Sequence, residues 1–173
     1  MENIDRQKHW ENIYNTKQLS EVSWYQNKPI TSLNFFDELN IPKNAKIIDV
    51  GGGDSLLADF LIEKGYADIS VLDISETAIE RAKKRLGEKA KLVNWMVADA
   101  TKFNPQEKYD FWHDRAAFHF MTADADIAKY LHNTINYINT GGILVIGTFS
   151  ELGPKKCSGI EIKQYSETGM SEL

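Results

Sequence analysis

The residues best suited to chemistry are carboxylates that follow short apolar runs. Asp49, Asp73 and Asp99 each lie at or near the end of such a run, and Asp110 or Asp114 marks a fourth. If the runs are strands of one parallel sheet, their carboxyl ends meet at one edge, where α/β proteins bind ligands. Grouped carboxylates accept hydrogen bonds from hydroxyl groups and attract cations. The pattern predicts a binding site at this edge.

A glycine-rich stretch surrounds the first of these carboxylates. The segment Lys46–Ser55, KIIDVGGGDS, leads through Gly51, Gly52 and Gly53 into residues 56–62, whose apolar positions recur at helical spacing. This order predicts a buried strand, a tight turn and a helix. Glycine lets backbone approach a ligand closely, and the N–H groups at a helix start point towards it. A purely architectural turn is the alternative.

Two cofactor classes use such a turn, and the neighbouring residues discriminate between them. A dinucleotide fingerprint has three glycines, G-x-G-x-x-G, and an acidic residue roughly 20 positions later. Gly51, Gly53 and Asp73 fit this pattern, but Leu56 stands where the third glycine belongs. Asp49 precedes the first glycine, where a carboxylate repels pyrophosphate and attracts a cation. S-adenosylmethionine carries an ammonium and a sulfonium and no phosphate, so it fits better than NAD.

Alternating strands and helices must position these residues. Besides the strand–turn–helix unit 46–64, the predicted strands are Ile69–Leu72, Lys91–Ala98, Tyr109–His113 and Ile143–Phe149. The predicted helices are Asp5–Asn15, a second over 33–39, Glu76–Leu86 capped by Ser75, and one that follows Thr122 as its N-cap; residues 116–120 are predicted as a helical turn and 139–142 as a turn. The alternation predicts an α/β fold with a parallel sheet.

An aromatic cluster precedes the first predicted strand. Trp10 and Tyr14 share one face of the first helix, and Trp24 and Tyr25 follow shortly after. Flat amphipathic rings at this place either pack against the sheet or form a lid that excludes water from a bound ligand. Both interpretations stay open.

The composition is that of one globular domain. The chain has 173 residues, 42% of them hydrophobic, and a net charge of −5, which argues against a nucleic-acid surface. It contains no apolar run of membrane-spanning length, and residues 1–14 lack the apolar core of a signal peptide. Cys157 is the single cysteine, and the four histidines are too scattered for a metal site. We expect a cytoplasmic protein with no metal, membrane or nucleic-acid partner.

These motifs resemble a known family. Asp49-x-Gly51-x-Gly53-x-Ser55, Asp73 and Asp99-Ala100 are similar to the motifs of class I S-adenosylmethionine-dependent methyltransferases. From about His9 onward the chain is similar to small, mostly microbial methyltransferase-domain proteins, through the segments His9–Tyr14, Val22–Tyr25, Trp112–Phe120, Thr148–Ser150 and Lys156–Gly159. The aromatic N-terminal stretch resembles thiopurine methyltransferases and some protein-lysine methyltransferases.

The resemblance implies a three-layer Rossmann-like sandwich, S-adenosyl-L-methionine as cofactor and S-adenosyl-L-homocysteine as product. It implies that the methionine part of the cofactor is bound by Asp49, Gly51, Gly52, Gly53 and Ser55. The ribose would be bound by Asp73, and the adenine by Ile74, Asp99 and Ala100. The front of the site would be closed by Trp10, Tyr14, Trp24 and Tyr25. His113 and Asp114 would face the methyl group as catalytic residues, with His113 also touching the cofactor.

Methyl transfer is an in-line displacement, so the protein mainly aligns the reacting atoms. A base is needed only if the nucleophile is protonated, and His113, Asp114 and His119 are the candidates. The acceptor is expected to be a small molecule or a protein side chain; a thiol or metalloid anion, a small metabolite and a protein lysine all stay open. A non-catalytic binding module and an NAD-dependent oxidoreductase are the alternatives.

Class I methyltransferases usually have seven strands, the last two in an antiparallel hairpin, and this sequence ends before that hairpin. We expect one domain, residues 1–173, made of a helical lid (1–45), a cofactor-binding core (46–150) and an incomplete C-terminal segment (151–173). Without the hairpin one sheet edge is exposed, which predicts a homodimer formed through that edge.

Overall fold

The computed structural model describes residues 5–115 and 117–173, and its centre is a five-stranded parallel sheet. The strands are β1 Lys46–Val50, β2 Asp68–Asp73, β3 Val93–Val97, β4 Tyr109–Asp114 and β5 Ile138–Ile146. Their order across the sheet is β3-β2-β1-β4-β5, and every neighbouring pair is parallel. With helices packed on both faces, the fold is the predicted three-layer α/β sandwich.

The helices follow the predicted alternation. They are α1 Arg6–Thr16, α2 Ile30–Glu38, α3 Leu57–Glu63, α4 Glu76–Leu86, α5 Asp124–Tyr137 and α6 Glu167–Ser171, with 3₁₀ turns at Leu19–Glu21, Gly87–Leu92 and Phe118–Phe120. The bounds of α4 are as predicted, because the Ser75 hydroxyl accepts the Ala78 N–H at 3.1 Å and caps the helix start. A left-handed Gly87, with φ of +56°, ends the helix.

The core is split between the two faces of the sheet, because successive side chains of a strand point in opposite directions. Ile47 of β1 packs in a cluster with Phe36 of α2 and with residues of α3 and α4. Ile48, the next residue, packs in a second cluster with Trp112 and with Tyr130 of α5. Both isoleucines are fully buried, and burying such a side chain stabilises a fold by about 1.5–3 kcal/mol. The two clusters fix the sheet between its helix layers.

The structure corrects the predictions around α5 and β5. Strand β5 begins at Ile138, so the predicted turn 139–142 lies inside the strand, where its register against β4 shifts between the pairs Tyr109–Ile138 and Phe111–Ile143. Gly141, with φ of +80°, supplies a left-handed conformation there, so the glycine signal marks the register shift within the strand. The N-cap of α5 is Ala123, without a side-chain hydrogen bond, and not Thr122.

Other boundaries differ by a few residues. Strand β3 is shorter than predicted, because the 3₁₀ turn Gly87–Leu92 takes its first residues, and β5 ends at Ile146 and not at Phe149. The predicted turn 116–120 is present as Phe118–Phe120, while Ala116 lies outside the described residues.

β5 is one of the two edge strands of the sheet. Within the described ranges, β5 pairs with β4 on one side only, and Leu144 on it is 39% exposed. The segment after it forms a separate antiparallel ribbon of β6 Lys156–Cys157 and β7 Ile160–Glu161, so no described strand takes the place of the family's hairpin in the main sheet. No helix in the described part of the chain is long and apolar enough to cross a membrane.

Candidate active site

A cavity of about 630 Å³ lies at the carboxyl ends of the strands. Most residues predicted for the site line it, namely Trp10, Tyr14, Trp24, Tyr25, Asp49, Gly51, Gly52, Ser55, Asp73, Ile74, Asp99, Ala100 and His113. Gly53 and Asp114 are not part of the lining. The fold thus brings together residues that lie far apart in the sequence.

The glycine turn between β1 and α3 closes the floor of this cavity. The N–H of Gly51 donates to the Leu72 carbonyl at 2.7 Å and ties the turn to β2. Gly53 has φ of +44°, and a Cβ there would lie 2.7 Å from Asp73 Oδ2 and 2.9 Å from the Tyr14 hydroxyl oxygen. A Cβ at Gly52 would lie 2.5 Å from Asp49 Oδ2. Side chains in this turn would therefore fill the space against the acidic groups.

Asp73 at the end of β2 is a buried carboxylate with few partners. Its Oδ1 accepts the N–H of Ser75 at 2.8 Å, and the residue is 6% exposed. Burial, with the negative charges of Asp49 and Glu11 adding to it, raises the pKa of Asp73 to about 7. Burial likewise raises the pKa of the Tyr14 hydroxyl, helped by the Asp73 charge. A ligand that donates hydrogen bonds to Asp73 would satisfy a group that the protein leaves largely unpaired.

His113 and Asp49 form a buried pair across neighbouring strands. His113 Nδ1 and Asp49 Oδ1 lie 2.7 Å apart, because β1 and β4 place these two residues side by side in register. The other ring nitrogen, Nε2, is 3.0 Å from the Ser32 hydroxyl of α2. Sequence reasoning missed Ser32, since nothing local to it indicates that α2 packs against the end of β4. The pair is held on both sides and faces the cavity.

The two carboxylates of β4, Asp110 and Asp114, form hydrogen bonds within the protein. Asp114 is fully buried and accepts the Tyr130 hydroxyl at 2.7 Å and the N–H of Ala117 at 2.8 Å. It therefore holds the loop after β4 against α5. Asp110 lies near the start of β4, where its Oδ2 accepts the N–H of Lys46 at 2.8 Å, far from the carboxyl edge. Neither carboxylate lines the cavity.

Asp99 follows β3 and turns back on its own loop. Its Oδ1 accepts both the N–H of Thr101, at 2.9 Å, and the Thr101 hydroxyl, at 2.8 Å. Ile74, after β2, and Ala98 and Ala100, on either side of Asp99, line the cavity with it. This end of the cavity therefore combines apolar walls with one oriented carboxylate, which suits a flat ring with a polar edge.

The aromatic cluster packs across the cavity from the strand ends. The Trp10 ring lies 5.7 Å from the Trp24 ring and 5.0 Å from the Phe120 ring, both in edge-on geometry, and Tyr14 lies 6.4 Å from Trp24. Because these rings line the cavity, the cluster occupies the position of a lid, as one of the two sequence interpretations requires.

Glu11 docks the aromatic helix α1 onto α4. Its carboxylate accepts the N–H of Glu76 at 2.5 Å and the Thr77 hydroxyl at 2.5 Å, so it caps the start of α4 from another helix. Arg81 of α4 donates in return to the Tyr14 carbonyl at 2.9 Å. The sequence gives no sign of Glu11, because a capping residue from a distant segment has no fixed spacing.

Asp54 in the glycine turn is neutralised by two arginines of α4. Arg81 Nε lies 2.9 Å from Asp54 Oδ2, and Arg85 pairs with Asp54 Oδ1 and with Asp59. The pKa of Asp54 is raised by burial, and the two guanidinium groups oppose that rise. Two arginines of α4 therefore hold the turn in place. The i, i+4 spacing places both arginines on one face of α4, but it does not identify Asp54 as their partner.

The lining fits a ligand with cationic and hydroxyl groups. Asp49, Asp73 and Asp99 line the cavity and make no ion pair with a lysine or arginine of the described residues, whereas Asp54 is fully paired. The turn leaves room beside these carboxylates that side chains would fill. A cation would be attracted here and a phosphate repelled, so the donor set suits a sulfonium nucleoside better than a dinucleotide.

Comparison with known proteins points the same way. The profile of a family described as "Methyltransferase domain" matches residues 47–142, more than half of the chain. Malonyl-[acyl-carrier protein] O-methyltransferase 1 of Ilyobacter polytropus is 28% identical over 131 residues, which are 72% of this chain and 47% of that protein. The chain therefore spans less than half the length of this relative.

Solved structures share the fold at low identity. An S-adenosylmethionine-dependent methyltransferase from Clostridium acetobutylicum superimposes with a TM-score of 0.64 at 17% identity, over 83% of this chain and 57% of the other. An amino pentose methyltransferase from Micromonospora echinaspora with S-adenosylmethionine bound gives a TM-score of 0.61 at 16% identity, over 83% and 57% of the two chains. These likenesses concern the fold, which is the Rossmann-like one predicted.

Proposed function

The chain belongs to the methyltransferase domain family, and from this premise we propose that it transfers a methyl group from S-adenosylmethionine to a small-molecule or protein side-chain acceptor. The predicted class I family is thereby confirmed, and the NAD-dependent alternative is set aside. The observation that carries the proposal is the meeting of Asp49, Asp73, Asp99 and the glycine turn on one cavity at the strand ends.

The proposed cofactor roles follow from the chemistry of each side chain. Asp73, buried and short of donors, would accept hydrogen bonds from ribose hydroxyls. Asp99 would accept from the adenine amino group, with Ile74 and Ala100 against the flat ring. Asp49 would face the cationic methionine part, beside the glycine turn. Ser55, whose hydroxyl accepts the N–H of Leu57 at 3.1 Å, would shape the start of α3 there, together with Gly51, Gly52 and Gly53.

The cofactor, when bound, supplies an electrophilic methyl carbon on a sulfonium. The protein's part is then alignment and exclusion of water. We assign alignment to the His113–Asp49 pair, since both are buried and fixed by hydrogen bonds. His113 is the proposed catalytic residue; Asp114, which does not line the cavity, is proposed to position the loop after β4. Water exclusion falls to the lid residues Trp10, Tyr14, Trp24 and Tyr25.

The relatives' names cover several acceptors, and none is transferred to this chain. One relative is named for a malonyl-carrier protein and an O-methyl product, and one structural neighbour for an amino pentose.

A non-catalytic binding module is the second candidate, supported by the hydrogen bonds of both His113 nitrogens within the protein. The unpaired edge of β5 supports a further proposal, that two chains associate there.

Methyl-labelled S-adenosylmethionine tests the proposed function. The wild-type chain and Asp73→Ala would be incubated with the labelled cofactor and a panel of amines, alcohols, thiols, carboxylates and a lysine peptide. We expect label on at least one acceptor with the wild type and a loss of 10-fold or more with the variant. Binding of S-adenosylhomocysteine with no transfer to any acceptor would instead support the binding module.

A further inference from the structure

His119 lines the cavity but plays no part in the roles assigned so far. It lies in the 3₁₀ turn Phe118–Phe120 after β4 and is only 4% exposed. Both of its ring nitrogens are shielded from water, and neither has a hydrogen-bond partner of good geometry among the described residues. A buried polar group without a partner is rare in folded proteins and calls for an explanation such as a ligand.

The imidazole of His119 is neutral near pH 7. Burial lowers its pKa to about 4, and the backbone of Gly147 nearby only partly opposes this. Within the described ranges, His119 forms no ion pair with a carboxylate. A neutral imidazole has one N–H donor and one nitrogen that accepts a hydrogen bond. The unprotonated nitrogen can therefore accept a hydrogen bond from a protic ligand, and burial keeps the ring neutral.

Two aromatic rings pack against His119. The Phe120 ring lies 4.2 Å from it at 48° and the Phe149 ring 5.1 Å from it at 70°. Phe120 contacts Trp10 of the lid, and Phe149 and Trp10 pack on the same apolar cluster as Ile160 and Ile162. Phe120, Phe149 and Trp10 also line the cavity. The two rings that His119 contacts are therefore apolar, in contrast to the acidic part beside the glycine turn, while Arg115, Thr148 and Lys156 also line the cavity.

We propose that His119, Phe120 and Phe149 form the acceptor-binding site, and that its ligand is a neutral molecule with a flat apolar body and one N–H, O–H or S–H group that hydrogen-bonds to His119. This inference rests on the proposed function, because it assigns the second substrate of the same cavity. The flat body packs between rings, as aromatic groups do, and the protic group satisfies a buried nitrogen that otherwise has no partner.

The proposed site discriminates against charged acceptors. A carboxylate or an ammonium group would lose its hydration on entering, and neither His119 nor the rings beside it carry a charge that would repay the loss. An apolar molecule of the same shape without a donor would pack but leave His119 unpaired. Acceptor choice would thus depend on one hydrogen bond within an apolar surrounding, a strong basis for selectivity.

Four naphthalene derivatives of the same flat shape test this directly: 2-naphthol, 2-methylnaphthalene, 2-naphthoate and 2-naphthylmethylammonium. Their affinities would be measured by NMR titration of the wild-type chain, with and without S-adenosylhomocysteine, while the ¹⁵N resonances of the His119 ring are followed. We expect 2-naphthol to bind at least 10-fold more tightly than the other three and to move the His119 ring resonances. Equal or tighter binding of 2-naphthoate or the ammonium compound would overturn the proposal.

Variants give a second, independent readout. His119→Phe should lower 2-naphthol affinity at least 10-fold and leave 2-methylnaphthalene affinity unchanged, whereas His119→Asn should keep part of the preference for 2-naphthol. His132→Phe, on the exposed side of α5, is the matched control and should change nothing. Unaltered 2-naphthol binding by both His119 variants would refute the assignment. If the wild-type chain does not bind S-adenosylhomocysteine, the proposed function is contradicted instead. The affinities of the four naphthalene compounds, measured without that ligand, would still decide the role of His119.

Discussion

Replacement of the buried Asp73 by Asn should stabilise the protein while it weakens cofactor binding. Asp73 accepts a hydrogen bond from the N–H of Ser75, which an Asn side-chain oxygen can still accept. What the variant loses is a negative charge in a site without a cationic partner among the described residues. Opposite effects on stability and on binding are typical of a residue retained for function.

The magnitude follows from the pKa of Asp73, which burial raises from 3.8 to about 7. The folded protein binds this proton more tightly than the unfolded chain, so the stabilisation is complete below about pH 4 and is lost as pH rises towards 7. At about 1.4 kcal/mol per tenfold change in the ionisation constant, the loss reaches an upper bound of about 4 kcal/mol. The Asn side chain does not ionise, so Asp73→Asn does not lose this stability and should be more stable than the wild type by about 2 kcal/mol or more at pH 8.

Thermal unfolding between pH 4 and pH 8 checks this prediction. The melting temperature of Asp73→Asn should exceed that of the wild type by roughly 4–8 °C at pH 8, with the difference closing near pH 4. Calorimetric titration should show S-adenosylhomocysteine bound about 10- to 100-fold more weakly, the cost of a charged hydrogen bond. Asp68→Asn, at the half-buried start of the same strand, is the control and should change stability by under about 0.5 kcal/mol. A variant that is less stable than the wild type at pH 8, or that binds the ligand equally well, would refute the reasoning.

Three further substitutions test the packing around the cavity. Gly53→Ala should weaken S-adenosylhomocysteine binding by 10-fold or more in calorimetry, because its Cβ would enter the space beside the Asp73 carboxylate. Gly65→Ala has the same left-handed strain but no neighbour within 4 Å, so it should leave binding intact. Equal losses in the two variants would contradict the proposed role of the space beside Asp73. Glu11→Gln should weaken the cap on α4 and destabilise the protein by about 0.5–2 kcal/mol in urea unfolding, and an unchanged midpoint would mean that α1 does not depend on this contact. Tyr130→Phe should cost about 1–3 kcal/mol in the same assay, since it removes a donor from the buried Asp114; a neutral effect would argue against the structural role of that carboxylate.

The part of the site that the sequence predicts well is local. The turn 51–53 and the helix α4 are specified by residues within a few positions of one another, so glycine content, capping by Ser75 and helical spacing identify them. The strand-end positions of Asp49 and Asp73 follow from the same local patterns, because the fold class then decides where the strand ends meet.

The contacts that hold the site are long-range, and sequence patterns do not specify them. The pairing of Asp54 with Arg81 and Arg85 joins a turn to a helix some 30 residues away, and Arg85 lies 31 positions from its partner. The sequence offered Asp114 as a catalytic candidate because it ends a strand, but its side chain turns to α5 and not to the cavity. Direction of a side chain depends on tertiary packing, which the strand pattern leaves open.

The central claim is that this cavity binds S-adenosylmethionine, and NMR titration of the wild-type chain with S-adenosylhomocysteine tests it most directly. We expect shifts to concentrate on the backbone amides of Gly51–Gly53, on the residues after Asp73 and on Asp99–Thr101, and we expect NADH to cause none of them. Shifts elsewhere, equal shifts with NADH, or no shift at a ligand concentration of several millimolar (about the upper limit for a specific site) would contradict it.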